Sequence, residues 1–169
     1  MKLTFWQRLD VVVRALFPCL ITLMLVVASA LPLPAPSLSH IMPMLPLIAV
    51  FYWAVYKPDL FPLWAVFLIG LVQDLLSGGP IGVSAIAFLS LQAAVNAQRR
   101  RFVSASFAKI WLLFSIFSAA AFALMWLLIS FSMMLFVDPM PLLFQFLLTV
   151  AVYPCFAWLM VRGQRAFER

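Results

Sequence analysis

Charged residues are the scarcest class in this sequence. They make up 9% of its 169 residues, whereas soluble globular domains carry about 25%. Hydrophobic residues make up 67%, among them 17 Phe and six Trp, and a soluble fold of this length cannot hide so many large side chains. The composition therefore excludes a soluble globular protein and predicts an integral membrane protein.

Side chains that perform catalysis or bind metals are almost as scarce. The sequence has one His, two Cys and five acidic residues, and they form neither a cluster with metal-ligand spacing nor a Ser–His–Asp arrangement. Cys19 and Cys155 both fall within apolar runs, so we expect no disulfide framework. We expect no enzymatic activity, no cofactor and no metal. The basic residues never alternate with a polar, aromatic surface, so no nucleic-acid partner is expected either.

Long apolar runs dominate what is present. A membrane-spanning helix needs about 20 apolar residues, and the chain offers six candidates separated by charges, Gly or Pro. The predicted spans cover residues 12–31, 41–56, 60–77, 81–97, 109–136 and 140–161. The sequence therefore predicts an all-α fold of about six transmembrane helices, forming a single polytopic domain over residues 1–169.

The positive charges predict how these helices are oriented. The eleven Lys and Arg residues lie before the first span or in its first turn, between spans two and three, between spans four and five or at the start of the fifth, or after the sixth span. The other loops, near 32–40, 78–80 and 137–139, contain none. Because cytoplasmic loops carry the excess of Lys and Arg, both termini are expected in the cytoplasm.

The first span has an alternative interpretation. Basic residues, an apolar run and then Ala28-Ser29-Ala30 are also typical of a cleaved signal peptide. The basic region is long for a signal peptide, however, and the next stretch is another apolar run instead of a soluble domain. We therefore favour a retained first span.

Aromatic residues gather at the end of the second span. Tyr52, Trp53 and Tyr56 directly precede the charged segment that starts at Lys57. Tyr and Trp are enriched at membrane–water interfaces, so we expect these three residues to form an interfacial belt.

The corner between the third and fourth spans carries the most informative residues. The third span breaks at Gly78, Gly79 and Pro80, and the next apolar run begins at once. Two helices joined by so short a connection lie antiparallel and in contact. One turn before the corner stands Asp74, and an ionisable residue inside a membrane is by default a candidate functional residue.

Small and polar residues share one face of each helix in this hairpin. Gly70, Gln73 and Asp74 fall on a common face of the third span, because Gln73 and Asp74 follow Gly70 by three and four residues. Gln92 and Asn96 form a similar stripe on the fourth span. The stripes predict close helix packing and interhelical hydrogen bonds.

Asp74 needs a compensating partner, because a carboxylate in the last turn of a helix faces the negative end of the helix dipole. The free backbone N–H groups of Ile81, Gly82 and Val83, at the start of the next helix, are the nearest candidates. Gly78 and Gly79 permit the tight turn that this contact requires. Asp74 is therefore predicted to latch the hairpin; the alternative is that it contacts interfacial water.

A basic cluster, Arg99, Arg100 and Arg101, ends the fourth span. Such a cluster either anchors the helix end to anionic lipid headgroups or offers a docking patch for a protein. The sequence leaves both interpretations open, with the lipid anchor favoured.

Residues 67–85, FLIGLVQDLLSGGPIGVSA, resemble the signature of the rod shape-determining protein MreD family. The shared pattern is a Gly, an Asp four residues on, a Ser/Gly corner, and then Pro80 and Gly82 opening the next helix. The Gln98-Arg99-Arg100 sequence that follows, the chain length and the six spans are also similar to the family.

The resemblance implies a non-catalytic subunit of the bacterial cell-elongation machinery, located in the inner membrane. The partners that the resemblance implies are the periplasmic coiled-coil protein MreC, the MreB filament system, and the glycosyltransferase and transpeptidase of lateral peptidoglycan synthesis. Family members also resemble the compact substrate-binding subunits of energy-coupling-factor vitamin transporters, so such a subunit is the alternative. The outer loops offer few polar groups for a ligand, which favours the scaffold.

The charge pattern makes one topological prediction. A cysteine placed in the 77–80 corner should react with a membrane-impermeant thiol reagent added outside intact cells, because that loop is expected on the outer side. Labelling only after the membrane is permeabilised would contradict the predicted orientation.

Overall fold

The computed structural model describes the backbone of residues 5–30, 42–99 and 106–167, and the side chains of 18–30, 42–59, 61–99 and 106–159. Within these ranges the chain is helical and contains no strand, so the all-α prediction is confirmed. The helices are α1 (Phe5–Ala30), α2 (Leu45–Tyr56), α3 (Leu63–Ser77), α4 (Val83–Ala97), α5 (Phe107–Met133) and α6 (Met140–Phe167), with a short 3₁₀ turn at Pro58–Leu60.

Each predicted span corresponds to one of these helices, and among the residues whose side chains are described, two helical segments are long and apolar enough to cross a membrane alone. They are Phe107–Met133 in α5 and Met140–Leu159 in α6. Helix α2 has 12 residues and α3 and α4 have 15 each, so they measure about 18–23 Å at 1.5 Å per residue, against a hydrocarbon core of about 30 Å. Six complete crossings are therefore not shown by helix length.

Several helix boundaries differ from the predicted spans, and two of the differences have a local reason. The third span starts late because Pro58–Leu60 form a separate 3₁₀ turn and Pro62 is the residue before α3. The fifth span ends early because Met134 adopts a left-handed conformation with φ of 48°, which stops the helix.

Helix α2 lies at the centre of the bundle. All nine residues from Pro46 to Ala54 are buried, and α1, α4 and α6 pack around it. The predicted aromatic belt is therefore wrong for Tyr52 and Trp53, which are 1% and 2% exposed. Both side chains lie in the core because neighbouring helices surround α2 up to its last turn. Only Tyr56 is exposed.

Aromatic rings join α2 to α5 and α6. Phe51 of α2 meets Phe114 of α5 edge-on at 5.0 Å between ring centroids, and it meets Tyr153 of α6 at 5.8 Å. Phe114 and Tyr153 stack on each other at 4.2 Å. Aromatic pairs at such distances add to the stabilisation from burial alone, so this cluster anchors α2 against the two long helices.

The beginning of α2 is fastened to the middle of α6. The backbone N–H of Met44 donates to the hydroxyl of Thr149 at 3.0 Å, and this hydroxyl donates to the carbonyl of Gln145 at 2.6 Å. Thr149 lies nine residues into α6, about 14 Å from its first residue. Helix α2 therefore starts partway along α6 and not level with its end.

The long helices α5 and α6 expose most of their surface. In their most apolar windows only 28% and 22% of the residues are buried. Between them runs an apolar groove of about 260 Å³. Its lining residues are Ala119, Phe122, Ala123, Trp126, Pro139, Leu142, Leu143 and Phe146. Such exposure is expected where lipid or another membrane helix covers a protein.

Helices α3 and α4 make the closest contact in the hairpin at Gly70. A Cβ atom on Gly70 would lie 2.3 Å from the Cα of Ala85 and 2.7 Å from its backbone nitrogen. Real Cβ contacts are never so short, so only glycine permits this helix separation.

Gly70→Ala should therefore push α3 and α4 apart and lower the free energy of unfolding by about 1–3 kcal/mol, the usual cost of overpacking. Gly79→Ala is the matched control, because its Cβ would meet only the Ser77 hydroxyl, at 4.0 Å. The measurement is the midpoint of heat-induced aggregation in mild detergent. Equal midpoints for the two variants would contradict the close packing at Gly70.

Candidate functional site

The Asp74 carboxylate joins the last turn of α3 to the beginning of α4. Its Oδ2 accepts a hydrogen bond from the backbone N–H of Gly82 at 2.7 Å. The N–H of Ser84 donates to Oδ1 at 3.0 Å and is also 3.2 Å from Oδ2. Asp74 is 3% exposed. Both carboxylate oxygens thus have partners within the hairpin.

This contact is a helix cap supplied by a residue outside the helix. The residue before α4 is Gly82, which has no side chain to accept the orphan N–H groups of the first turn. Asp74 takes that place from α3 and accepts from Ser84, the second residue of α4, as an ordinary N-cap side chain would. The carboxylate also lies at the positive end of the α4 dipole, which offsets its unfavourable position near the end of α3.

Two left-handed glycines make the turn possible. Gly78 ends α3 with φ of 68°, and Gly82 precedes α4 with φ of 102°. Residues with a Cβ rarely adopt such angles. The hydroxyl of Ser77 donates to the carbonyl of Gln73 at 2.8 Å, so the last turn of α3 also has a side-chain partner.

The donors differ in part from the three predicted ones. Gly82 donates to Asp74 as expected, but the Val83 N–H points to the Pro80 carbonyl at 3.5 Å, and Ile81 is exposed. Ser84, which the prediction missed, supplies the second N–H. The left-handed conformation of Gly82 decides which N–H groups face Asp74, and a sequence motif does not show that conformation. Burial and paired oxygens favour the latch over contact with interfacial water.

The polar residues predicted to line the α3–α4 contact, Gln73, Gln92 and Asn96, lie in different surroundings in the structure. Gln92 is buried and its Nε2 donates to the Phe61 carbonyl at 2.7 Å, so it joins α4 to the segment before α3. Gln73 is buried, and its Oε1 has no partner among the described residues. Asn96 is exposed on α4. Of the three, Gln92 is the one that the structure places in a contact between chain segments.

The charged end of the hairpin lies away from Asp74. Arg99 and Asp59 approach to 4.0 Å between Nη2 and Oδ2, and both side chains are exposed. An exposed pair at this distance contributes little stability. It does place the end of α4 beside the connection between α2 and α3. Arg100 and Arg101 lie outside the described residues.

Taken together, the buried polar contacts among the described residues fasten helices to one another. The Asp74 oxygens are occupied by backbone N–H groups, and the hydroxyl of Thr149 is occupied by α2 and its own helix. The arrangement of the described helices is that expected of an all-α membrane protein.

The comparison with known families agrees with this class. The chain matches the rod shape-determining protein MreD family over residues 10–162, and it belongs to that family. It is therefore a member of a family of non-catalytic membrane proteins that determine cell shape. No curated protein and no solved structure matches the chain, so the expected likeness to energy-coupling-factor subunits is not shown.

Substitutions at Asp74 can distinguish whether the structure needs its hydrogen-bond acceptor or its negative charge. Asp74→Asn keeps one acceptor oxygen for the N–H groups of Gly82 and Ser84, whereas Asp74→Leu leaves both unpaired at a cost of about 1–3 kcal/mol. We expect the Asn variant to be milder, measured as the amount of folded protein in the membrane and its thermal midpoint in detergent.

Leu75→Asn, on the exposed side of the same turn, controls for polarity at this depth. If the Asn and Leu variants at Asp74 remain equally folded and abundant and are equally inactive in supporting cell shape, the charge itself is required. The latch interpretation is then wrong.

Proposed function

We propose that the protein is a non-catalytic subunit of the bacterial cell-elongation machinery, located in the inner membrane, and that it coordinates lateral peptidoglycan synthesis. The observation that carries the proposal is the family match, which spans residues 10–162 of the 169-residue chain. The bundle supports it, since its buried polar groups serve helix packing.

The proposed topology has six membrane helices and both termini in the cytoplasm. Lys57, Asp59 and Arg99 belong to the loops that the charge pattern assigns to the cytoplasm, and the Arg99–Asp59 approach is consistent with both loops lying at one end of the bundle. The short helices α2, α3 and α4 are accommodated because α2 is enclosed by protein. Backbone of irregular shape is tolerated at membrane depth where protein surrounds it.

The proposed partners are those of rod-shape systems: an MreC-type periplasmic coiled-coil protein, an MreB-type filament, and a wall glycosyltransferase and transpeptidase. The exposed faces of α5 and α6 offer lateral area on which membrane segments of such partners can pack. The basic segment that begins at Arg99 offers contact with anionic lipid or with an acidic partner surface.

Depletion of the protein in a rod-shaped host should make cells round while growth continues at first, because wall synthesis loses its coordination and keeps its enzymes. Cell width and length measured by microscopy over successive generations test this. Re-expression of the wild-type chain should restore rods, and the Asp74→Leu variant should restore them less well.

Affinity purification in mild detergent distinguishes the scaffold from its alternative. Wall-synthesis and filament proteins should co-purify. Unchanged cell shape together with a vitamin requirement, or co-purification of two cytoplasmic ATPases and a coupling membrane protein, would contradict the proposal. So would turnover of a lipid-linked substrate by the purified protein alone.

A further inference from the structure

Helix α6 contains a proline where it crosses the bundle. Pro154 lies inside Met140–Phe167, and proline has no backbone N–H. In an α-helix the carbonyl four residues earlier would accept that hydrogen, so the carbonyl of Val150 loses its partner within α6. The position falls in the part of α6 that is long and apolar enough to span a membrane, and within a hydrocarbon core water does not replace a missing donor.

A side chain of α5 supplies the missing donor. The indole Nε1 of Trp111 donates to the carbonyl of Val150 at 3.1 Å. Trp111 lies in the first turns of α5, and the residue is 41% exposed at the surface of the bundle. A side chain whose N–H reaches protein while its ring faces outward suits a lipid-covered position, because indole is largely apolar and has one donor.

Other contacts of α6 lie next to Val150 and Pro154. Thr149 holds the start of α2, and Tyr153 stacks on Phe114 of α5. The segment of α6 from Thr149 to Pro154 is therefore where α2, α5 and α6 are joined, and loss of the Val150 partner would loosen α6 at that junction.

We propose that Trp111 is a positioning residue that replaces the hydrogen bond removed by Pro154 and so fixes α6 against α5. Trp111 and Pro154 act as a pair. The Trp111 indole is needed to bond the Val150 carbonyl because Pro154 has no N–H. A residue with a backbone N–H at position 154 would make the indole dispensable. The inference is independent of the cell-shape function, since it concerns a contact within the chain.

A double-mutant cycle tests the pairing. Trp111→Phe keeps an aromatic ring and removes the donor, so it should lower the thermal midpoint in detergent. Pro154→Ala restores an N–H that can bond to Val150, and in that background Trp111→Phe should have a clearly smaller effect. Trp64→Phe is the matched control, because Trp64 is an exposed Trp of α3 and should leave the midpoint unchanged in both backgrounds. An equal loss from Trp111→Phe in both backgrounds would overturn the proposal.

A second measurement does not depend on the stability of the variants. In wild-type protein with ¹⁵N-labelled Trp, the Trp111 indole N–H should exchange with deuterium more slowly than that of Trp64, because it is hydrogen-bonded. Trp111→Phe assigns the signal by removing it. Exchange at Trp111 as fast as at Trp64 would overturn the proposal even if Pro154→Ala failed to fold.

Discussion

The constraint on which this structure depends is that polar backbone groups in a membrane need partners other than water. A regular helix pairs its own N–H and C=O groups, so unpaired backbone groups occur at helix ends and at prolines. Three such places have a partner side chain from elsewhere in the chain. Asp74 accepts from the start of α4, Thr149 from the start of α2, and Trp111 donates to the carbonyl left open by Pro154.

These contacts also explain how short helices are held in one bundle. Without water there is little hydrophobic driving force between membrane helices, so close packing and interhelical hydrogen bonds take its place. Gly70 provides the close packing between α3 and α4, and Asp74, one turn further on, provides the hydrogen bonds between them. The result is a firmly joined hairpin beside two long helices with exposed faces.

Much of this arrangement was predictable from local patterns. Apolar runs bounded by charge or proline locate all six helices, and the Gly78–Pro80 corner identifies the hairpin. The polarity of Asp74 and the dipole argument indicate the start of α4 as its partner. Ser84 was missed because the backbone conformation of Gly82 decides which N–H faces the carboxylate.

Contacts between distant residues were beyond local patterns. Thr149 and Met44 are 105 residues apart, and no spacing rule connects them. Pro154 reveals an unpaired carbonyl at Val150, but not that Trp111 is its donor. Tyr52 and Trp53 stand next to charges, as interfacial residues do, yet packing around α2 buries them. In each case the tertiary packing of the helices determines the partner or the burial of the residue, and the neighbouring sequence carries no information about that packing.

The central claim is that the Asp74 carboxylate pairs with backbone N–H groups at the start of α4. Residue-resolved hydrogen exchange in detergent or nanodiscs tests it most directly. The Gly82 and Ser84 amides should exchange slowly compared with the amide of Ile81, which is exposed in the same turn. Their protection should disappear in Asp74→Leu while the amides of α2 stay protected. Equal exchange of the Gly82, Ser84 and Ile81 amides in the wild-type protein would contradict the account.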